Sequence, residues 1–166
     1  AYLEEFDSRF ESWARAACEE WEYPQPSEDY FAKVESRLPA GLRESLGFGL
    51  SEGIIIAKGL TFTMKDLPES KGPYSWFSRY SSAKQPGPNW EYYIHVAEYV
   101  RLLQTLPEND YSLVFEDNLM DIGVYRKGDL FVCCEVKEDA KKALVLLNGI
   151  KQYQDYVDLD QEDRGN

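Results

Sequence analysis

Long hydrophobic runs are missing from this 166-residue chain: the most apolar stretch, Ile54-Ile55-Ile56-Ala57, stops at Lys58, far short of the roughly 20 residues a membrane span needs. A soluble protein without membrane association is expected. Cysteine is scarce. Three residues cannot complete a disulfide framework, and Cys133 and Cys134 are neighbours inside an apolar run, so all three are read as reduced core residues in an intracellular, reducing compartment such as the cytoplasm. With one histidine and no Cys-x-x-Cys pair, a structural zinc or an iron–sulfur cluster lacks ligands. Basic charge is also short. Eighteen Lys and Arg against thirty Asp and Glu leave a net charge of −12, which counts against a broad basic face clasping duplex DNA. Ala1-Tyr2-Leu3-Glu4-Glu5 has no basic segment followed by an apolar one and no Met; no secretory signal is expected, and a piece of a larger protein or complex is.

Aromatic residues, by contrast, are abundant. Four Trp, twelve Tyr and eight Phe within 43 % hydrophobic content exclude a disordered chain, and the length suits one domain over 1–166. The charge is uneven. Residues 1–52 hold five basic and twelve acidic residues, whereas 53–90 hold five basic and two acidic, so a local contact stripe is compatible with the overall balance.

Leu3, Phe6, Phe10, Trp13, Ala17 and Trp21 recur at helical spacing and predict an amphipathic helix that packs against a sheet and ends before Pro24 and Pro26. Ser27, as N-cap, starts a second helix with Tyr30, Phe31, Val34 and Leu38 on its apolar face. Residues 1–52 are read as helical decoration. Residues 53–65 are β-branched and aromatic with Gly59 inside, which predicts a bent strand or short hairpin. Across 66–89, Pro68, Gly72, Pro73, Pro86, Gly87 and Pro88 predict a long irregular loop. It carries Lys71, Tyr74, Trp76, Phe77, Arg79, Tyr80 and Lys84, and Lys71, Trp76 and Arg79 suit substrate binding by phosphate contact and base stacking; a folded-back loop burying its rings is the other reading. Asn89 caps a helix ending at Pro107. Three strands follow over 111–116, 119–125 and 130–137, the last two joined by the turn Arg126-Lys127-Gly128-Asp129. A final helix over 139–157 and a charged tail over 158–166 complete the chain.

The chemistry concentrates in the last two strands. Side chains alternate along a strand, so Asp121, Gly123 and Tyr125 share one face and Glu135 and Lys137 share another. The hairpin can bring Asp121 opposite the Glu135–Lys137 end. Two carboxylates and an ammonium in strands expected to be central are costly unless paired or metal-bound. Two carboxylates can hold Mg2+ or Mn2+, and a lysine can position water or stabilise developing charge, which is the set that phosphodiester hydrolysis uses. The alternative is a simple pairing of Lys137 with Glu135 or Asp121 near solvent.

The stretch Met120-Asp121-Ile122-Gly123-Val124-Tyr125, the turn, and Val132-Cys133-Cys134-Glu135-Val136-Lys137 together resemble the core of the PD-(D/E)XK nuclease superfamily. Gln152-Tyr153-Gln154-Asp155-Tyr156 resembles the Gln-x-x-x-Tyr motif of its RecB-like branch, and His95-Val96-Ala97-Glu98 resembles the helical His and Glu that precede the core there. The resemblance covers 89–157. It implies an α/β fold, a restriction-endonuclease-like mixed central sheet flanked by helices with an N-terminal helical extension, and a divalent-metal-dependent nuclease acting on DNA or RNA. Asp121, Glu135 and the Val136 carbonyl would be metal ligands, Lys137 the base or stabiliser, and Gln152 and Tyr156 substrate-orienting groups, with His95 or Glu98 reaching the metal. Met120 stands where Pro is usual, and the iron–sulfur cysteines of some members are absent. The rival is an inactive nuclease-fold domain serving as a protein-interaction or nucleic-acid-binding module, which the −12 charge favours and the buried charges do not.

Overall fold

In a computed structural model the chain is a mixed α/β protein, with thirteen elements among the described residues. The structure describes residues 1–68, 70–80, 82–118 and 120–164; the side chains of residue 80 and of 155–164 lie outside that description. The chain divides into two compact units, Ala1–Glu135 and Val136–Asn166, so the division falls inside the Glu135-Val136-Lys137 motif.

The first unit opens with three helices, α1 (Tyr2–Glu20), α2 (Glu28–Arg37) and α3 (Ala40–Ser51). The expected apolar face of α1 is buried at Phe6, Phe10, Trp13, Ala14 and Ala17, but it packs on α3 and on a ring cluster more than on a sheet. Phe10 stacks on Tyr30 and Trp90 and meets Phe77 and Tyr93 edge-on or tilted. Arg43 of α3, buried itself, ties the helices by a two-pronged bond to Asp7 at 2.7 and 2.8 Å and a bond to the Leu38 carbonyl at 3.0 Å. A buried guanidinium needs such partners, because its desolvation is otherwise uncompensated.

Of the two expected arrangements, residues 53–65 form the hairpin and not the bent strand, β1 (Ile55–Lys58) with β2 (Thr61–Met64), turning at Gly59 with φ +57°. The long irregular loop does not materialise. Segment 66–89 contains β3 (Tyr74–Ser75), which adds to β2, and the antiparallel pair β4 (Phe77–Tyr80) and β5 (Gln85–Pro88). Pro86 and Pro88 are tolerated because β5 is an edge strand of a two-stranded sheet and need not donate along its free side.

Helix α4 (Trp90–Thr105) runs through the core with Tyr93, His95, Val96, Ala97, Tyr99 and Val100 buried. Asn89 occupies the predicted cap position, yet its side chain does not cap. Its amide donates to the Ser75 carbonyl at 2.7 Å and accepts from the Ser78 hydroxyl at 2.6 Å, so it fastens the start of α4 to β3 and β4. The antiparallel sheet β6 (Tyr111–Asp117), β7 (Met120–Arg126) and β8 (Asp129–Cys134) follows. Lys127 and Gly128, both at positive φ, make the predicted two-residue turn. In place of one mixed central sheet, the described residues form three small antiparallel sheets. Strand β7 is central, but β8 is an edge with Leu130, Phe131 and Val132 exposed, and it stops before Glu135. Cys133 is exposed rather than buried, Cys134 half-buried and Cys18 buried.

The second unit contains α5 (Ala140–Arg164). Asp139 caps it, accepting the Lys142 backbone N–H at 2.8 Å. The helix continues through most of the expected tail, since 158–164 carries neither Gly nor Pro to end it. Among the described residues no helix is long and apolar enough to cross a membrane.

Candidate metal centre

The site is assembled from α4 and the β6–β7 hairpin. In β6 and β7, Phe115 pairs with Ile122 and Asp117 with Met120, so Glu116 and Asp121 occupy facing positions between those pairs. On the other side of β7, the last pair is Ile122 with Cys134, and Glu135 follows directly after the end of β8, near enough for its charge to act on Glu116. Two carboxyl-bearing residues thus face each other across β6 and β7, and a third lies just beyond the end of β8. Beneath them α4 contributes His95, whose ring lies on the fully buried Phe115 at 4.1 Å and 22°.

His95, Glu116 and Asp121 each offer a ligand atom, and those atoms lie within 4.8 Å of one another. His95 Nε2 is 2.5 Å from the Asp121 carbonyl oxygen. A carbonyl only accepts, so Nε2 is the donor. The same ring orientation turns Nδ1 toward Glu116 Oε1, 3.3 Å away. An imidazole that donates one N–H to a backbone carbonyl and presents its other nitrogen beside a carboxylate is arranged as metal-ligating histidines usually are.

Glu116 is held in the left-handed region at φ +54° inside a strand, a conformation that costs a non-glycine residue on the order of 1–2 kcal/mol. Burial pushes its carboxyl pKa up, the Asp121 carboxylate adds to the shift, Lys71 opposes it and Glu135 adds again. Lys71 reaches this point from the segment before β3 and donates to the Glu116 carbonyl oxygen. Tyr74 and Tyr92 flank the cluster, and the Glu116 charge contributes, after burial, to raising both hydroxyl pKa values.

The sequence-predicted residues separate into groups. His95 and Asp121 come together, and Glu135 follows the end of β8. Glu98 does not join them within the compact cluster; it is bonded to Arg101 at 2.5 and 2.9 Å. Glu135 is exposed rather than set among apolar residues, because β8 is an edge. Val136, Lys137 and Gln152 belong to the second unit, Gln152 on an exposed turn of α5, and the Tyr156 side chain lies outside the described residues. Arg79 is exposed, its guanidinium 5.9 Å from the centre of the Tyr23 ring. Trp76 cannot stack on a base as expected, since it is fully buried between Trp13, Phe62 and Tyr93.

Two residues escaped the sequence reading. Glu116 was placed at the end of a strand without a register; recognising Asp117-Asn118 as the entry to a tight turn, where Asn118 has φ +56°, would have set it opposite Asp121. Asp117 is buried, accepts from the Tyr125 hydroxyl and lies over Gly123. No family model matches the chain, and no curated protein and no solved structure matches it either.

Proposed function

We propose that the chain is a divalent-metal-dependent nuclease of the PD-(D/E)XK type, with a restriction-endonuclease-like core and nucleic acid as substrate. The observation that carries this reading is the convergence of His95, Glu116 and Asp121 to within 4.8 Å, with the Glu135 charge acting on Glu116. One nitrogen and several carboxylate oxygens fit Mg2+ or Mn2+, and the imidazole favours Mn2+. When bound, the cation supplies Lewis-acid polarisation of the scissile phosphate and acidifies water. The His95 ring is held in one orientation by the Asp121 carbonyl and Phe115, which orders the site before a cation arrives. Asp121 of β7, Glu116 of β6 and Glu135, just beyond the end of β8, would hold the cation, and Lys71 would offset part of the acidic charge. Lys137 is the proposed stabiliser of developing charge, and Gln152 and Tyr156 the proposed orienting pair, on the strength of the motif order.

The purified chain should cleave a nucleic acid only with Mg2+ or Mn2+ present. Asp121→Ala should reduce cleavage by at least about a hundredfold, given the several kcal/mol a metal contributes to phosphoryl chemistry, while the far-ultraviolet circular dichroism stays as in wild type. Activity persisting in excess chelator would refute the reading. The net charge of −12 favours the second reading, a nuclease-fold module without activity; metal binding without cleavage of any single- or double-stranded DNA or RNA would select it.

A further inference from the structure

A groove of about 360 Å³ opens between α2, β5 and the first residue of α4. None of the carboxylate centre lines it. Its two sides differ in chemistry: Pro86, Pro88 and the half-buried Trp90 form an apolar side, while Lys33 and Arg37, four residues apart and so on one face of α2, form a cationic one. Among the described residues no acidic side chain lines it, in a chain with thirty Asp and Glu. The groove is also pre-shaped. The Tyr30 hydroxyl donates to the Pro86 carbonyl at 2.7 Å within buried surroundings, which holds α2 at a set distance from β5. Phe10 stacks on Trp90 at 6.1 Å and 15° and steadies the indole, whose remaining surface faces the groove. The Arg37 guanidinium lies 5.8 Å from the indole centre.

A flat aromatic wall beside two basic side chains selects a planar aromatic ring that carries negative charge. We propose that this groove binds one nucleotide of a single-stranded nucleic acid, its base against Trp90 and its phosphate on Lys33 and Arg37. The choice of ligand rests on the nuclease reading. A base entering over the indole would displace the guanidinium toward the phosphate, where its planar fork bonds two oxygens. Helix α4 carries both Trp90 and His95, about 7.5 Å apart along its axis at 1.5 Å per residue, so a strand anchored in the groove and the metal centre are referred to one rigid element.

The test follows the Trp90 indole N–H resonance of the full chain, without divalent metal, on addition of deoxyadenosine monophosphate or a short oligodeoxyadenylate. The buried Trp76 indole is the internal control. The oligonucleotide should move Trp90 and leave Trp76 in place, and Arg37→Glu and Lys33→Glu, both exposed substitutions, should each weaken binding about tenfold with unchanged folding. If the free nucleotide moves Trp90 as well, the groove recognises a nucleotide unit alone; if only the oligonucleotide does, it recognises the strand. Either outcome supports the assignment. No shift of Trp90 with either probe, or wild-type binding in both charge reversals, overturns it. Cleavage that survives in those variants with unaltered binding defeats the groove and leaves the nuclease reading standing, whereas groove binding without any metal-dependent cleavage does the reverse.

Discussion

Glu116 combines a left-handed backbone, partial burial and two neighbouring carboxylates, and each has a measurable consequence. Its carboxyl pKa is raised in the folded chain, so the folded state holds the proton more tightly than the unfolded state does. Stability attributable to this group is therefore gained as pH falls through the raised pKa and lost as pH climbs above it. Glu116→Gln should raise the melting temperature of the metal-free protein near pH 7, and the advantage should shrink toward pH 4; an advantage that grows on acidification would contradict the shift. Gly123 shows the opposite kind of constraint. An added Cβ there would overlap the Asp117 carboxylate and come within 3.0 Å of the Tyr125 ring, so Gly123→Ala should cost about 1–3 kcal/mol by overpacking, read from denaturant midpoints. Trp76 belongs to the same argument: its truncation to Ala should cost roughly 3–5 kcal/mol of stability as a large buried ring is lost, where a substrate-stacking residue would be lost without unfolding.

At the scale of elements, helix contacts are set by small residues as much as by rings. Gly47 of α3 lies against the backbone of Tyr2, and a Cβ would overlap the Tyr2 carbonyl; Gly49 leaves 2.8 Å to Ile55 and Val100 side chains. Gly47→Ala should therefore push α1 from α3 and lower stability by about 1–3 kcal/mol, against a far smaller effect at Gly41, which a Cβ would not crowd; equal melting temperatures for the two variants would refute the close contact. The periodic elements were legible: Phe6, Phe10 and Trp13 announced α1, Val96 and Val100 announced α4, and the Lys127-Gly128 turn announced its hairpin, because each pattern is local. Helix α3 was not singled out, since Gly41, Gly47 and Gly49 are poor helix formers and break up the pattern of Leu42, Leu46 and Leu50. Strands β3, β4 and β5 were hidden by Pro and Gly, which mark loops in general but are allowed on the edges of two- and three-stranded sheets. At the site, Asp121 and His95 were legible by motif order, whereas Glu116 depended on a register that only the turn geometry sets, and Trp76 depended on tertiary burial that composition cannot see.

For the molecule as a whole, an acidic chain with clustered carboxylates will respond to any cation, so specific and diffuse effects must be separated. Diffuse screening of the −12 charge follows ionic strength and is matched by sodium chloride. A specific site follows mass action instead: a ligand at a hundred times its dissociation constant stabilises the state that binds it by about 2.7 kcal/mol, worth roughly 5–10 °C for a chain of this size. The two compact units need not melt together, which would blur a global signal. All four tryptophans, Trp13, Trp21, Trp76 and Trp90, lie within Ala1–Glu135, the unit that contains His95, Glu116, Asp121 and Glu135, so tryptophan fluorescence reports the unit holding the proposed centre. Manganese should raise that melting temperature beyond a sodium chloride control of equal ionic strength, at lower concentration than magnesium because His95 supplies a nitrogen. Asp121→Asn should remove most of the manganese increment while retaining the salt response, since it deletes one ligand and leaves the remaining charge almost unchanged. A manganese effect that coincides with the salt control, or one that Asp121→Asn leaves intact, would place the cation elsewhere and remove the ground for metal-dependent chemistry at this cluster.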